Sequence, residues 1–208
     1  MILGKIRIKM NKLFFDIETL PADKDKHEIL KKFHKMRLKQ GKTKASFEDF
    51  LAGTSFGATF GRILCLAYAF NDEPIKTLKG DEKKILEDFW QIAERVDLFI
   101  GHNILYFDLM FIRQRSIILG VKPTRNIDLK KYYSKDIYDI MHEWNNWNGT
   151  ISMDELAHAF GIPSSKTKMD GSQVAGFHEE GRDEEIYEYC SADVEVTRAI
   201  YKKMNFEE

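Results

Sequence analysis

Apolar runs of strand length recur through the first half of the chain. They cover residues 12–18, 62–70, 75–78 and 97–102. Runs of this length, with aliphatic and aromatic residues in sequence, are typical of β-strands. The pattern therefore predicts a β-sheet built from this half of the chain.

Apolar residues at helical spacing predict four helices, most of them after these strands. They cover residues 81–96, residues 107–119, a segment that opens at Ser152, and residues 183–204. The second helix is expected to end at Gly120, and the third opens on a Ser-x-x-Glu capping box, Ser152 to Glu155. Strands that come first, with helices around and after them, predict an α/β fold in which a mixed central sheet is flanked by helices on both faces.

Composition and length describe an ordinary globular chain. The 208 residues are 43% hydrophobic and 31% charged, which fits a single domain spanning residues 1–208. The two cysteines, Cys65 and Cys190, are too few for a disulfide framework, and no apolar run is long enough for a signal peptide or a membrane span. We therefore expect a cytoplasmic location and no membrane partner.

One segment departs from the near-neutral balance of the chain, whose formal net charge is −1. Residues 24–44 carry nine lysines and arginines against two acids, and Ile29, Phe33 and Met36 form a narrow apolar stripe. The pattern predicts a helix on the surface, within an insertion at about residues 23–58. Two interpretations remain open, namely a solvated face and a basic flap over a phosphate backbone.

The stretch LFFDIETLP places two carboxylates at the end of an apolar strand. Asp16 and Glu18 are two residues apart, and side chains at this spacing share one face of a strand. Two buried carboxylates repel each other and are costly to desolvate. The pair therefore indicates either a strand end that emerges into solvent or a functional site.

Two later segments add further acids. Asp108 lies in the apolar stretch GHNILYFDLMFI, where an acid at the start of a helix favours the helix dipole. Tyr189 and Asp193 are four residues apart in the last predicted helix and lie on one of its faces. Taken separately, each of these features also fits an ordinary structural or surface role.

Four acids that converge on one edge of the sheet would require a cation. Two like charges about 4 Å apart cost on the order of 4 kcal/mol at an effective dielectric constant near 20. A site made of carboxylates alone selects hard ions, so we expect Mg²⁺ or Mn²⁺, and two such ions would support an in-line displacement at phosphorus. Paired carboxylates also serve glycoside hydrolysis, but that reaction leaves Asp108, Asp193 and the basic segment unexplained.

The order of the motifs resembles a known family. FDIET, GHNILYFD and YCSADV resemble the three exonuclease motifs of the Asp-Glu-Asp-Asp 3′–5′ exonucleases, above all the stand-alone exonucleases related to the proofreading domain of B-family DNA polymerases. The connecting segments YDIMHEW, SMDELAHAFGIP and KMDGSQV are similar to that group as well. The resemblance covers about residues 12–204, apart from the insertion, and implies a ribonuclease-H-like α/β exonuclease fold.

The resemblance implies a role for each residue that matches a motif. Asp16 would bridge two Mg²⁺ or Mn²⁺ ions, Glu18 and Asp193 would complete the shell of one, and Asp108 would bind the other. Tyr189 would orient the attacking water. This assigns the chain to the subclass that has a tyrosine in the third motif.

The implied substrate is the 3′ end of single-stranded DNA, with a polymerase or repair protein as a partner in trans. Candidate substrate contacts are Thr19, Leu20, Asn103, Phe107, Lys166 and Lys168. Trp144 and Trp147 are either stacking platforms for unpaired bases or helix-packing residues. Two alternatives stay open, which are RNA as the substrate and a non-catalytic nucleic-acid-binding module on the same scaffold.

Overall fold

A mixed five-stranded sheet forms the centre of the protein. The structure is a computed structural model and describes residues 10–130, 135–166 and 169–207. The strands are β1 (Lys12–Leu20), β2 (Arg62–Phe70), β3 (Lys76–Lys79), β4 (Leu98–Gly101) and β5 (Ile137–Asp139). Their order across the sheet is β3-β2-β1-β4-β5, with β2 antiparallel to β1 and β3, and β4 parallel to β1 and β5. The prediction of a mixed sheet is confirmed, and β5 is an additional strand that the apolar pattern missed.

Helices follow and surround these strands. They are α1 (His27–Lys39), α2 (Phe47–Ala52), α3 (Glu82–Ala93), α4 (Asp108–Leu119), α5 (Ile140–Asn145), α6 (Met153–Ala159), α7 (Val174–Glu179) and α8 (Asp183–Met204), with short 3-10 helices at Lys24–Lys26, Gly53–Phe56 and Gly171–Gln173. The predicted Ser152 capping box opens α6, and Gly120 ends α4 in the left-handed conformation. No described helix is both long and apolar enough to cross a membrane.

Each face of the sheet packs into its own core. Phe15 and Ile17 of β1 belong to a core formed with α3 and α4, whereas Phe14 belongs to a core formed with α8. Because side chains alternate along a strand, Asp16 and Glu18 share the face that α8 covers. The sheet thus places the carboxylate pair under the last helix of the chain.

Helix α1 forms where the basic pattern predicted a surface helix, and its packing involves residues beyond the predicted stripe. Leu30 and His34 are its buried side chains, whereas Ile29 and Met36 are exposed. The His34 ring lies 3.0 Å from the backbone oxygen of Ala45, so it contributes a polar contact inside the segment. Phe33 of the predicted stripe is partly buried and its ring lies 6.0 Å from that of Phe60, so this residue packs together with Leu30 and His34.

The segment of residues 23–58 is fixed to the end of β1. The Thr19 hydroxyl donates to the backbone oxygen of Ser55 at 2.8 Å, and the backbone N–H of Ala22 donates to the Thr54 hydroxyl at 2.9 Å. Gly61 lies so close that a Cβ at this position would sit 2.5 Å from the backbone oxygen of Thr54. The segment is consequently held beside the strand that carries Asp16 and Glu18.

Candidate active site

Three carboxylates from the two ends of the chain meet on the α8 face of the sheet. Asp16, Glu18 and Asp193 each offer a carboxylate oxygen, and these three oxygens all lie within 4.8 Å of one another. β1 supplies two of them by its alternation, and α8 supplies the third where it crosses β1. Among the described residues, this is the group of acids, histidines and cysteines whose spacing fits a metal ion.

Asp193 has one carboxylate oxygen that no hydrogen bond of the described residues satisfies. Its side chain is buried, and its Oδ1 atom has no hydrogen-bond partner in the described part of the chain. A buried and unsatisfied carboxylate oxygen is costly, and structural acids in a core are normally satisfied. A cation held between the three carboxylates would satisfy this atom.

The raised pKa values of the cluster also favour a bound cation. Burial is the main cause that raises the pKa of Asp16 well above its ordinary value, and the charges of Asp108, Asp193 and Glu18 raise it further. Burial also raises the pKa of Asp193, to about 6. Without a cation the cluster therefore tends to hold protons, and a divalent ion would reverse that tendency.

Glu18 lies beside a thiol as well as beside acids. Burial is the main cause that raises the pKa of Glu18 well above its ordinary value. The electrostatic effects of Cys65 and Asp193 raise it further. The Sγ atom of Cys190 lies 3.5 Å from the backbone oxygen of Asp16 and 3.6 Å from its Oδ2 atom. Burial raises the pKa of Cys190, so this thiol remains neutral, and the charged ligands of the site are carboxylates.

Asp108 approaches the cluster from the other side of β1. It is the first residue of α4, and its Oδ1 atom accepts a hydrogen bond from the backbone N–H of Ile17 at 3.1 Å. Burial raises its pKa to about 7, although the backbone N–H groups of Asp108 and Ile17 oppose the shift. Asp108 is outside the group of three oxygens, but its charge has the largest electrostatic effect on the pKa of Asp16.

Tyr189 lies one helical turn before Asp193 on α8 and is buried. Burial raises the pKa of its hydroxyl far above the ordinary value, and the charges of Asp193, Glu18 and Asp16 add to this effect. The hydroxyl therefore stays protonated at neutral pH. Tyr189 can donate a hydrogen bond in the site, but it cannot act there as a general base.

Asp139 at the end of β5 organises the loop that precedes α4, and the sequence patterns did not single it out. Its carboxylate accepts hydrogen bonds from the backbone N–H groups of Asn103 (2.9 Å), Leu105 (3.0 Å) and Met141 (3.1 Å). The side chain is almost completely buried, at 3% exposure. Such a residue could be found from sequence only as an acid that ends an apolar segment, and this signal is weak.

The candidate substrate contacts from β1 and from the β4–α4 loop have mixed environments. The Thr19 hydroxyl already donates to Ser55, and the Leu20 side chain is packed in the core, so Leu20 offers only its backbone to a ligand. Asn103 has a positive φ of 60°, with its N–H bound to Asp139. Phe107 is partly exposed and its ring lies 5.6 Å from that of Phe111.

The candidate contacts from the second half also differ from one another. Lys166 is exposed. Its charge lowers the pKa of Asp193, against the larger effect of burial, so Lys166 lies near the cluster. Lys168 lies outside the described residues. Trp144 is 45% exposed. The Trp147 ring stacks on that of His142 at 4.4 Å, so it serves local packing.

Comparison with known protein families identifies most of the chain. A family described as a predicted 3′–5′ exonuclease related to the exonuclease domain of PolB matches residues 67–208. The matched range includes Asp108, Tyr189 and Asp193, whereas Asp16 and Glu18 precede it. No curated protein matches the sequence significantly.

The fold is similar to part of a solved polymerase. The structure of the family B DNA polymerase from the hyperthermophilic archaeon Pyrobaculum calidifontis matches 95% of this chain with a TM-score of 0.65 and 14% sequence identity. This chain spans only 25% of the polymerase chain. At this identity the likeness concerns the fold alone, and it confirms the expected ribonuclease-H-like α/β architecture.

Proposed function

Because the chain belongs to the family of predicted 3′–5′ exonucleases related to the exonuclease domain of PolB, we propose that it removes nucleotides from the 3′ end of single-stranded DNA. The products would be 5′-mononucleotides. The observation that carries this proposal is the group of carboxylate oxygens from Asp16, Glu18 and Asp193, in which the buried Oδ1 of Asp193 has no partner among the described residues.

The residues present fit two hard divalent cations, Mg²⁺ or Mn²⁺. Asp16, Glu18 and Asp193 would hold one ion, and Asp16 with Asp108 would hold the second. Once bound, the ions would stabilise the attacking and leaving oxygens of an in-line displacement at phosphorus. Burial raises the pKa of the Cys190 thiol, so it adds no charged soft ligand, which favours these ions over Zn²⁺.

The side chains of the protein itself would bind and orient the reactants. Tyr189 keeps its proton, so its hydroxyl would donate to, and thereby orient, the attacking water near Asp193. Lys166 would contact a phosphate of the strand, because its positive charge lies near the acidic cluster at which the strand would be cleaved. Asp139 would hold the loop from which Asn103 and Phe107 face the 3′-terminal nucleotide.

We further propose that residues 1–208 act as one exonuclease domain, with residues 23–58 as an insertion. A polymerase or repair protein would then present the 3′ end in trans. Cys65 and Cys190 are both free and buried, which suits the reducing cytoplasm in which we expect the protein to act.

The test uses single strands of matched sequence, DNA and RNA, labelled at either end. With Mg²⁺ or Mn²⁺, a 5′ label should appear in a ladder that shortens from the 3′ end, and a 3′ label should be released at once in a mononucleotide. EDTA should abolish both results. Asp16→Asn, prepared identically, controls for contaminating nucleases.

Four outcomes would contradict the proposal. Full activity in EDTA would exclude the two-ion account, and first release of a 5′ label would exclude the direction. Strand binding without any hydrolysis would indicate that the protein is a non-catalytic nucleic-acid-binding module. Faster hydrolysis of RNA than of DNA would assign RNA as the substrate.

A further inference from the structure

We propose that a cleft in the 23–58 segment binds an unpaired nucleobase of the substrate strand, away from the scissile bond. The cleft lies between α1, α2 and the turn before β2, with a volume of about 510 Å³. This inference rests on the proposed function and adds a strand-binding subsite to it. It also gives the segment a role beside the carboxylates.

The lining of the cleft is aromatic and only partly buried. Phe33, Phe50 and Phe60 all line it, and each of these side chains is partly exposed. Core phenylalanines such as Phe15 and Phe89 are, in contrast, completely buried. Exposed aromatic rings in a concave surface offer faces on which a base can stack, and such stacking is tolerant of sequence.

The charge of the cleft is suited to a phosphodiester strand. Arg37 is the one charged residue in its lining, and the guanidinium lies 5.4 Å from the centre of the Phe50 ring. Lys42 and Lys44 flank the lining residue Thr43, and both are exposed. No acidic side chain of the described residues forms an ion pair with Arg37, Lys42 or Lys44. These cations are therefore available to phosphates on either side of a bound base.

The cleft is fixed at a short distance from the carboxylates. Thr54 lines it, and the Thr54 hydroxyl accepts the hydrogen bond from the backbone N–H of Ala22. Ala22 follows Glu18 by four residues, so their Cα atoms are at most about 14 Å apart. An extended single strand with its 3′ end at the carboxylates reaches this distance within a few nucleotides.

Charge and shape together select a nucleic-acid strand over other occupants of an aromatic cleft. An acidic peptide would satisfy the cations but has no planar group at regular spacing. A lipid tail would fill the cleft, but it would offer no phosphates to the cations on either side of it. A single strand supplies a flat base between two phosphates, and the proposed reaction already brings such a strand to Glu18.

The test compares substrate lengths in two cleft variants and one matched control. Arg37→Glu reverses the cationic rim, and Phe50→Leu removes a ring while retaining an apolar side chain. Each should raise the KM for DNA of about 20 nucleotides by about 5- to 100-fold, and the loss should shrink as the strand is shortened to a dinucleotide. Lys39→Glu makes the same charge reversal on an exposed residue of α1 outside the lining, so it reports general electrostatics.

The outcomes separate the cleft from the exonuclease function itself. If the wild-type protein hydrolyses no substrate, the proposed function fails. If it hydrolyses every length and the cleft variants match Lys39→Glu at each length, the cleft proposal alone is overturned. Melting temperatures show whether Phe50→Leu still folds, and Arg37→Glu, an exposed change, decides the question if it does not.

Discussion

Asp16 of the first strand and Asp193 of the last helix bring carboxylate oxygens within 4.8 Å of each other on a buried face of the sheet. The charge of Asp193 raises the pKa of Asp16, and neither residue has a lysine or arginine ion-pair partner among the described residues. An arrangement of this kind opposes the stability of the protein without metal. The proposed cation would offset this repulsion.

Asp193→Asn should separate a metal ligand from a structural acid. The change removes one negative charge from a repelling cluster, so unfolding in EDTA should occur at the same or a slightly higher temperature. Hydrolysis in Mg²⁺ should fall by more than about 100-fold, beyond what the loss of an outer-shell partner usually costs.

The matched control for this variant is Glu195→Gln, which removes an exposed charge from the same helix. Glu195 forms an exposed ion pair with Arg198, so its loss should change stability by at most about 1 kcal/mol and leave hydrolysis intact. A clear loss of stability in Asp193→Asn, with activity preserved, would assign Asp193 to the fold instead of the reaction.

Tyr189→Phe should slow turnover without weakening metal binding. The change removes only a hydroxyl that stays protonated, so the carboxylate shells remain complete. We expect kcat to fall about 10- to 100-fold, with the Mn²⁺ affinity from calorimetry unchanged. Tyr187→Phe, two residues earlier, removes a hydroxyl from the tyrosine ring that lies under Lys79 and should have no effect. Loss of Mn²⁺ affinity in Tyr189→Phe would contradict its assigned role.

The protein in EDTA should become less stable as the pH rises from about 4 to 7. Burial raises the pKa of Asp108 to about 7 and that of Asp193 to about 6. Below about pH 4 these acids are protonated in both states; at higher pH the unfolded chain loses their protons first, so the folded state binds more protons and loses stability.

Urea unfolding in EDTA at several pH values checks this sign. The Asp193→Asn variant should show a smaller loss of stability over the same range, and Mg²⁺ should stabilise the wild-type protein most near pH 7 and above. If the wild-type protein gained stability relative to the variant between pH 4 and 7, Asp193 would be stabilised in its ionised form by the fold itself. That result would contradict its assignment as a metal ligand.

Asp139→Asn should reduce hydrolysis through the β4–α4 loop. The amide keeps one acceptor oxygen, but its NH₂ group replaces the other. At least one backbone N–H that now donates to Asp139 would therefore face a donor and lose its hydrogen bond. Leaving a buried donor unsatisfied costs about 1–3 kcal/mol, which urea unfolding would measure. Where the variant is fully folded, we expect kcat to fall about 10- to 100-fold. Unchanged kcat in folded protein would limit Asp139 to a structural role.

Local periodicity predicted the parts of this site that lie on single elements. The spacing of Asp16 and Glu18 placed both on one face of β1, and the spacing of Tyr189 and Asp193 placed both on one face of α8. That these two faces meet is a property of the sheet order and the helix packing, which no local pattern contains. The ordered motifs supplied that information through the family resemblance.

The features that sequence reasoning missed are short or depend on distant contacts. β5 has three residues, too few to show alternation, and it is defined by its pairing with β4. Asp139 is important through three backbone N–H groups that only the fold brings to it. On α1, His34 faces inward because Ala45 provides an acceptor, which composition does not reveal.

The central claim is that Asp16, Glu18 and Asp193 hold a catalytic cation, and anomalous diffraction from a crystal soaked in Mn²⁺ tests it most directly. We expect a manganese peak within coordination distance of all three carboxylates, a second peak between Asp16 and Asp108 when a strand is bound, and loss of the first peak in Asp193→Asn crystals. A saturated crystal of active protein with no peak at these carboxylates, or with its peaks elsewhere, would contradict it.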